Sequence, residues 1–256
     1  MLMLTRFTLP TALARPAVAL GLGIMAALAS SAHAAALSSA TDSYDAMPAA
    51  ECTPQTADVP AFSAARYDAC KQTLDNYIAQ YQQTSDSQKL YTAYQALAWL
   101  TYANYEQHMN SRAATKAQAW QSAYGLISAL AYGTSSESVP ADIPATSALM
   151  RPDLWAYVSA LKDKGAIAIA PREMAFAEVS LIWAASKQCT RGWRQSTPHF
   201  RMAARYVSQA NTAYRNRYPE DTAALLDLTQ RYYHAYLPLD AKNDQCHGQI
   251  LPKLPL

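Results

Sequence analysis

The chain is short of glycine, of net charge and of catalytic signatures. Two of its seven glycines lie within the first 34 residues, and so few over the rest disfavour a β-rich fold, whose tight turns call on positive φ. Basic residues number 21 and acidic residues 19. Arg6 and Arg15 fall in the leading segment, which has no acid, so the remaining chain is balanced in charge. A nucleic-acid binder would carry a basic excess on one face, and the longest basic cluster is only Arg191 to Arg194; nucleic acid is not expected as a partner. No GxSxG, HExxH or CxxC is present, which removes the commonest nucleophile and zinc signatures. After the apolar run from Ala17 to Ala29, no stretch approaches the ~18 to 20 uninterrupted apolar residues that cross a bilayer.

What is present begins with that leading run. Arg6 and Arg15 precede it and Ala32-His33-Ala34 follows it, the order of a cleavable export signal over residues 1–34. The arginines are not adjacent and no cysteine stands directly after the cleavage point, the first being Cys52, so the expectation is general secretion to the periplasm without a lipid anchor. In such a compartment four cysteines read as two disulfides. Cys52 with Cys70 and Cys189 with Cys246 is the expected pairing, each stapling a terminal segment to a helix. A metal site from Cys189, Cys246, His247 and His199 lacks regular ligand spacing, and no metal or cofactor is expected.

Residues 35–60 read as an extended arm. A helical domain is then expected over 61–237, in two halves with a linker near 134–148, and a tail over 238–256. Tyr67, Cys70, Leu74, Tyr77 and Tyr81 step by three and four along a first helix, and Leu90, Tyr94, Leu97, Thr101 and Tyr105 along a second. Ala113, Ala117, Trp120, Tyr124 and Ile127 mark a third, stopped by Gly133. Pro152 and Pro171 suit first helical turns, the helix from Pro152 closing at Gly165. The helix from Pro171 carries two apolar lines, Met174-Ala177-Leu181-Ala184 and Phe176-Val179-Trp183, and is expected to be buried on more than one side. Thr197-Pro198 reads as cap and first turn of a sixth helix, and Pro219-Glu220-Asp221 starts a seventh. The fold class is therefore all-α, about seven helices in antiparallel hairpins, as a bundle or a short repeat-like solenoid with no significant sheet. Tetratricopeptide-like hairpins are suggested, although Trp99 and Trp183 do not fit one 34-residue period.

Tyrosine is abundant, 17 against four phenylalanines, which suits a glycan- or protein-contacting surface or, alternatively, helix seams with hydroxyls reaching water. The sharpest local cluster is Arg191-Gly192-Trp193-Arg194. Gly192 fits a helix stop and Trp193 fits either a lid on the hairpin or a partner anchor flanked by arginines. Arg191, Trp193, Arg194 and Tyr102 are the candidate binding residues. The histidines read as surface or capping groups. Glu178, between Phe176 and Val179, is the carboxylate whose burial would suit a glycosidase acid; the alternative pairs it with Arg194 or Arg201.

Three stretches, Trp99-Leu100-Thr101-Tyr102-Ala103, Arg151-Pro152-Asp153-Leu154-Trp155, and Glu178 to Ala184 running on to Gly192-Trp193-Arg194 and Pro198, together resemble a helical periplasmic region ahead of the peptidoglycan-binding module in some proteobacterial OmpA-like envelope proteins. The resemblance spans roughly Lys89 to Ala213 and implies a cell-envelope role in a Gram-negative bacterium. The α/β module that holds peptidoglycan in that family has no counterpart here, so none of its ligand-contacting residues carries over. The expected function is non-enzymatic: binding or scaffolding another envelope protein or a cell-wall polymer, with oligomeric state open. The alternatives are a small-ligand binder using the groove between the halves, and a cell-wall glycan enzyme using Glu178.

Overall fold

The computed structural model describes residues 52–54, 59–109, 113–134 and 150–237. The expected signal segment, most of the arm, nearly all of the linker, the tail, Cys246 and His247 lie outside the described residues. Within them are seven α-helices of twelve residues or more, with no strand: α1 Ala64–Thr84, α2 Ser87–His108, α3 Ala113–Tyr132, α4 Pro152–Asp163, α5 Pro171–Arg191, α6 Trp193–Arg217 and α7 Thr222–Tyr236. The fold is all-α. No described helix is long and apolar enough to cross a membrane.

Helix ends follow local chemistry. The Ser63 side chain accepts from the Arg66 amide and the Asp86 side chain from the Lys89 amide, each satisfying one of the free donors of a first turn. Pro152 and Pro171 occupy first turns, where no amide partner is needed. Gly133, Gly165 and Gly192 all have positive φ. Pro219 starts a 3₁₀ turn, Pro219–Asp221, that leads into α7.

The start of α6 departs from expectation. It begins at Trp193, and Pro198 lies inside it rather than in its first turn. Gly192 at φ 77° and ψ −177° turns the chain so sharply that it alone separates the end of α5 from the start of α6. The hydroxyl of Thr197 donates back to the Trp193 carbonyl at 2.7 Å, in the turn where proline withholds a donor.

The packing is organised about α2 and α5. One cluster of buried side chains joins α1, α2 and α3 with Trp183 of α5, and includes Leu74, Leu100, Trp120 and Ile127. A second joins α4, α5, α6 and α7 with Tyr91 of α2, and includes Trp155, Leu181, Val207 and Leu225. As expected, α5 is buried on both apolar lines. So is α2, which the single-stripe reading missed: Thr101 is exposed while Tyr91, Ala96, Leu100 and Tyr102 are buried. A helix between two layers has no single apolar stripe.

Cys52 and Cys70 form a disulfide. Closing a loop of 18 residues is worth roughly 3 kcal/mol in the chain-entropy account. The Trp120 indole donates to the Pro60 carbonyl at 2.6 Å and the Tyr132 hydroxyl to that of Pro54, so the segment before α1 is held against α3. Cys189 is also disulfide-bonded; Cys246, its expected partner, lies outside the described residues.

Candidate functional site

Two buried carboxylates mark the α2–α5 seam, and both are neutralised by lysines. Glu178 accepts from Lys162 Nζ at 2.7 Å on one oxygen. On the other it accepts from Gln95 Nε2 at 3.0 Å and from the Tyr91 hydroxyl. Burial, then the Glu178 charge, pushes the Tyr91 phenol well up from its ordinary value, so it stays protonated and keeps donating. The partner of Glu178 is therefore Lys162 of α4, not the expected Arg194 or Arg201. A carboxylate with both oxygens engaged in this way is a cross-brace between α2, α4 and α5.

The second pair lies at one end of the bundle, where the last turns of α2 and α5 meet the start of α6. Glu106 and Lys187 form an ion pair with side chains 2% and 3% exposed. The Lys187 ammonium also lies 5.1 Å from the centroid of the Tyr105 ring. Trp183, one turn back on α5, stacks on Tyr102 at 4.5 Å and on His199 of α6 at 4.2 Å, with Tyr105 edge-on at 5.1 Å. Burial lowers the His199 imidazole below its ordinary value; Lys187 adds to this and Glu106 opposes it. His199 is thus neutral and aromatic in role, correcting the expectation of a surface or capping group, whereas His108 fits it: exposed at the end of α2, it contacts the Asn104 carbonyl at 2.8 Å.

Above this buried platform stand three of the candidate binding residues. Arg191 reaches the Met109 carbonyl at 3.4 Å, tying the end of α5 to the end of α2. Ser196 donates to Gln188 across the Gly192 turn. Trp193 is 65% exposed, and the Arg194 guanidinium lies 5.5 Å from its ring centroid. The indole is turned to solvent, so the lid alternative for Trp193 is overturned. Tyr102 does not join the other three: it is 2% exposed and packed under the site against Trp183, Ser186 and Trp99.

The sequence carries a signal for Lys187. Met174, Ala177, Leu181 and Ala184 step along one buried line, and the next position on that line is Lys187. Similarly, Ala203, Val207, Ala210 and Tyr214 continue backwards to His199. A charged or titratable residue on the extension of an apolar line signals a buried polar contact whose partner comes from another element.

The tyrosine surplus is largely accounted for by helix seams. Tyr214 donates to Asp221, Tyr232 to Asp163, and Tyr236 shares a hydrogen bond with Ser159. These hydroxyls find protein partners rather than water alone. Comparison with protein-family models, with curated proteins and with solved structures finds no match.

Proposed function

We propose that the protein is an exported, non-enzymatic helical protein of the bacterial periplasm that binds another cell-envelope component, a protein or a wall polymer, through the Arg191–Arg194 end of the bundle. The observation that carries this reading is Trp193, a 65% exposed indole flanked by arginines on a platform fixed by a buried ion pair. Tryptophan and arginine dominate the energetics of binding patches, and a rigid support lowers the ordering cost of using them. Export is supported by the apolar run near the start and by the Cys52–Cys70 disulfide. The resemblance to the helical region of OmpA-like envelope proteins points to the same compartment.

The two alternatives draw less from the structure. A glycan-cleaving acid must hold a proton and reach the substrate, and Glu178 is 7% exposed with both oxygens bonded. A ligand between the halves would have to displace Tyr91, Gln95, Glu178 and Trp183 from the α2–α5 seam.

Crosslinking and pull-down from periplasmic extract, with isolated cell wall as a parallel bait, tests the reading. An identified envelope component should be recovered by the native protein and lost with Trp193→Ala at unchanged melting temperature. A protein that stays monomeric and recovers no envelope component, or a Trp193→Ala variant that recovers it equally well, overturns the proposal.

A further inference from the structure

Charge balance over the whole chain conceals a strong local imbalance. In its 25 residues α6 carries five arginines and no aspartate or glutamate. Arg194, Arg201, Arg205 and Arg215 are all exposed, and at about 100° per residue they fall within roughly 80° of arc on one face. The stripe runs for about 32 Å at 1.5 Å per residue. Among the described residues none of the four makes an ion pair. Of the carboxylates on neighbouring elements, Glu173 pairs with Arg172, Glu178 with Lys162 and Asp221 with Lys164, which leaves Glu220, on the turn after α6, as a single exposed acid against the four arginines. Four guanidinium groups so arranged repel one another, and an anionic partner relieves that repulsion.

We propose that the outward face of α6 docks against anionic phospholipid headgroups, holding the protein at a membrane surface without insertion. Charge complementarity sets the sign of the partner, and guanidinium matches phosphate oxygens two at a time. The intervals between the arginines are uneven, seven, four and ten residues. A fluid array of phosphates adapts to such spacing, whereas an acidic helix presents one fixed period. An exposed aromatic ring lies at one end of the stripe, Trp193 beside Arg194, a residue type that favours the headgroup region. The apolar face of α6, with Ala203, Val207, Ala210 and Tyr214, is buried in the protein, so the contact is electrostatic. Trp193 and Arg194 are shared with the binding end described above, but Arg201, Arg205 and Arg215 are not; failure of this proposal leaves that one standing.

The test is co-sedimentation of the protein, purified as the cell processes it, with vesicles of phosphatidylcholine alone or with about one-third phosphatidylglycerol. Each arginine near an anionic surface is worth about fivefold in partitioning, so Arg201→Gln/Arg205→Gln/Arg215→Gln should weaken binding to the anionic vesicles about a hundredfold. The corresponding triple lysine variant should retain most of it, and Arg231→Gln, whose arginine pairs with Asp227 on α7, should change little. Raising salt from about 0.05 to about 0.5 M should release the protein. Equal binding to both vesicles, no loss in the triple glutamine variant, or tight binding to polyglutamate without vesicle association would each overturn the proposal.

Discussion

Lys187→Met should be among the most damaging single substitutions in this protein. The native pair is almost wholly removed from water, with side chains 3% and 2% exposed. Deleting the ammonium leaves the Glu106 carboxylate in a site built for an ion pair, and breaking a buried pair from one side costs about 3–5 kcal/mol. The cation–ring contact with Tyr105 is lost as well, which places the expectation in the upper half of that range. For a helical body of this size each kcal/mol shifts Tm by about 2–4 °C, so a fall of roughly 8–20 °C follows. Removing both charges is a different perturbation, because no charge is then left without its partner. Glu106→Leu/Lys187→Met should lie within about 1–2 kcal/mol of the native protein, since an apolar replacement of similar volume avoids the desolvation cost. Urea and thermal unfolding followed by circular dichroism across the four-member cycle measure the coupling. A single variant within about 1 kcal/mol of native, or a double variant as damaged as the singles combined, refutes the role given to the pair.

Two further outcomes follow from the same end of the bundle. His199 has a folded pKa below its ordinary 6.5, so as pH falls below about 6.5 the unfolded chain takes up a proton before the folded one does. Stability is therefore full above that pH and declines towards the lower folded value; His199→Phe should flatten this part of the profile, and an unaltered slope would remove His199 as its source. Gly192→Ala meets no neighbouring atom, yet its φ of 77° and ψ of −177° lie in a region essentially reserved for glycine. A loss of about 1–3 kcal/mol is expected from backbone strain alone, and a neutral result in urea unfolding would show that the α5–α6 turn relaxes.

The site was legible in part. The Gly192 turn and the arginine–tryptophan run are contiguous, and their exposure follows from a turn between two helices. Tyr102 was misplaced because the Trp99–Ala103 stretch looks like aromatic surface until α5 covers it. Lys162 is not legible as the partner of Glu178, because any basic residue suits a carboxylate and nothing in the sequence of α4 links it to α5. The stripe on α6 was hidden by net charge and by contiguity: its arginines are separated in sequence and gathered only by helical winding.

Taken alone, the sequence determined the all-α class, the number of helices and most of their ends, because prolines, glycines and capping side chains act on their own backbone within one or two turns. It also determined most of the apolar faces of α1 and α3, although Ala117 on the expected α3 line is exposed. The tertiary structure alone decided which charges neutralise each other, that α2 is sandwiched, and that Tyr102 lies beneath the site while Trp193 stands above it. Those outcomes depend on residues such as Glu106 and Lys187, far apart along the chain, and burial is a property of what a helix packs against rather than of its own composition.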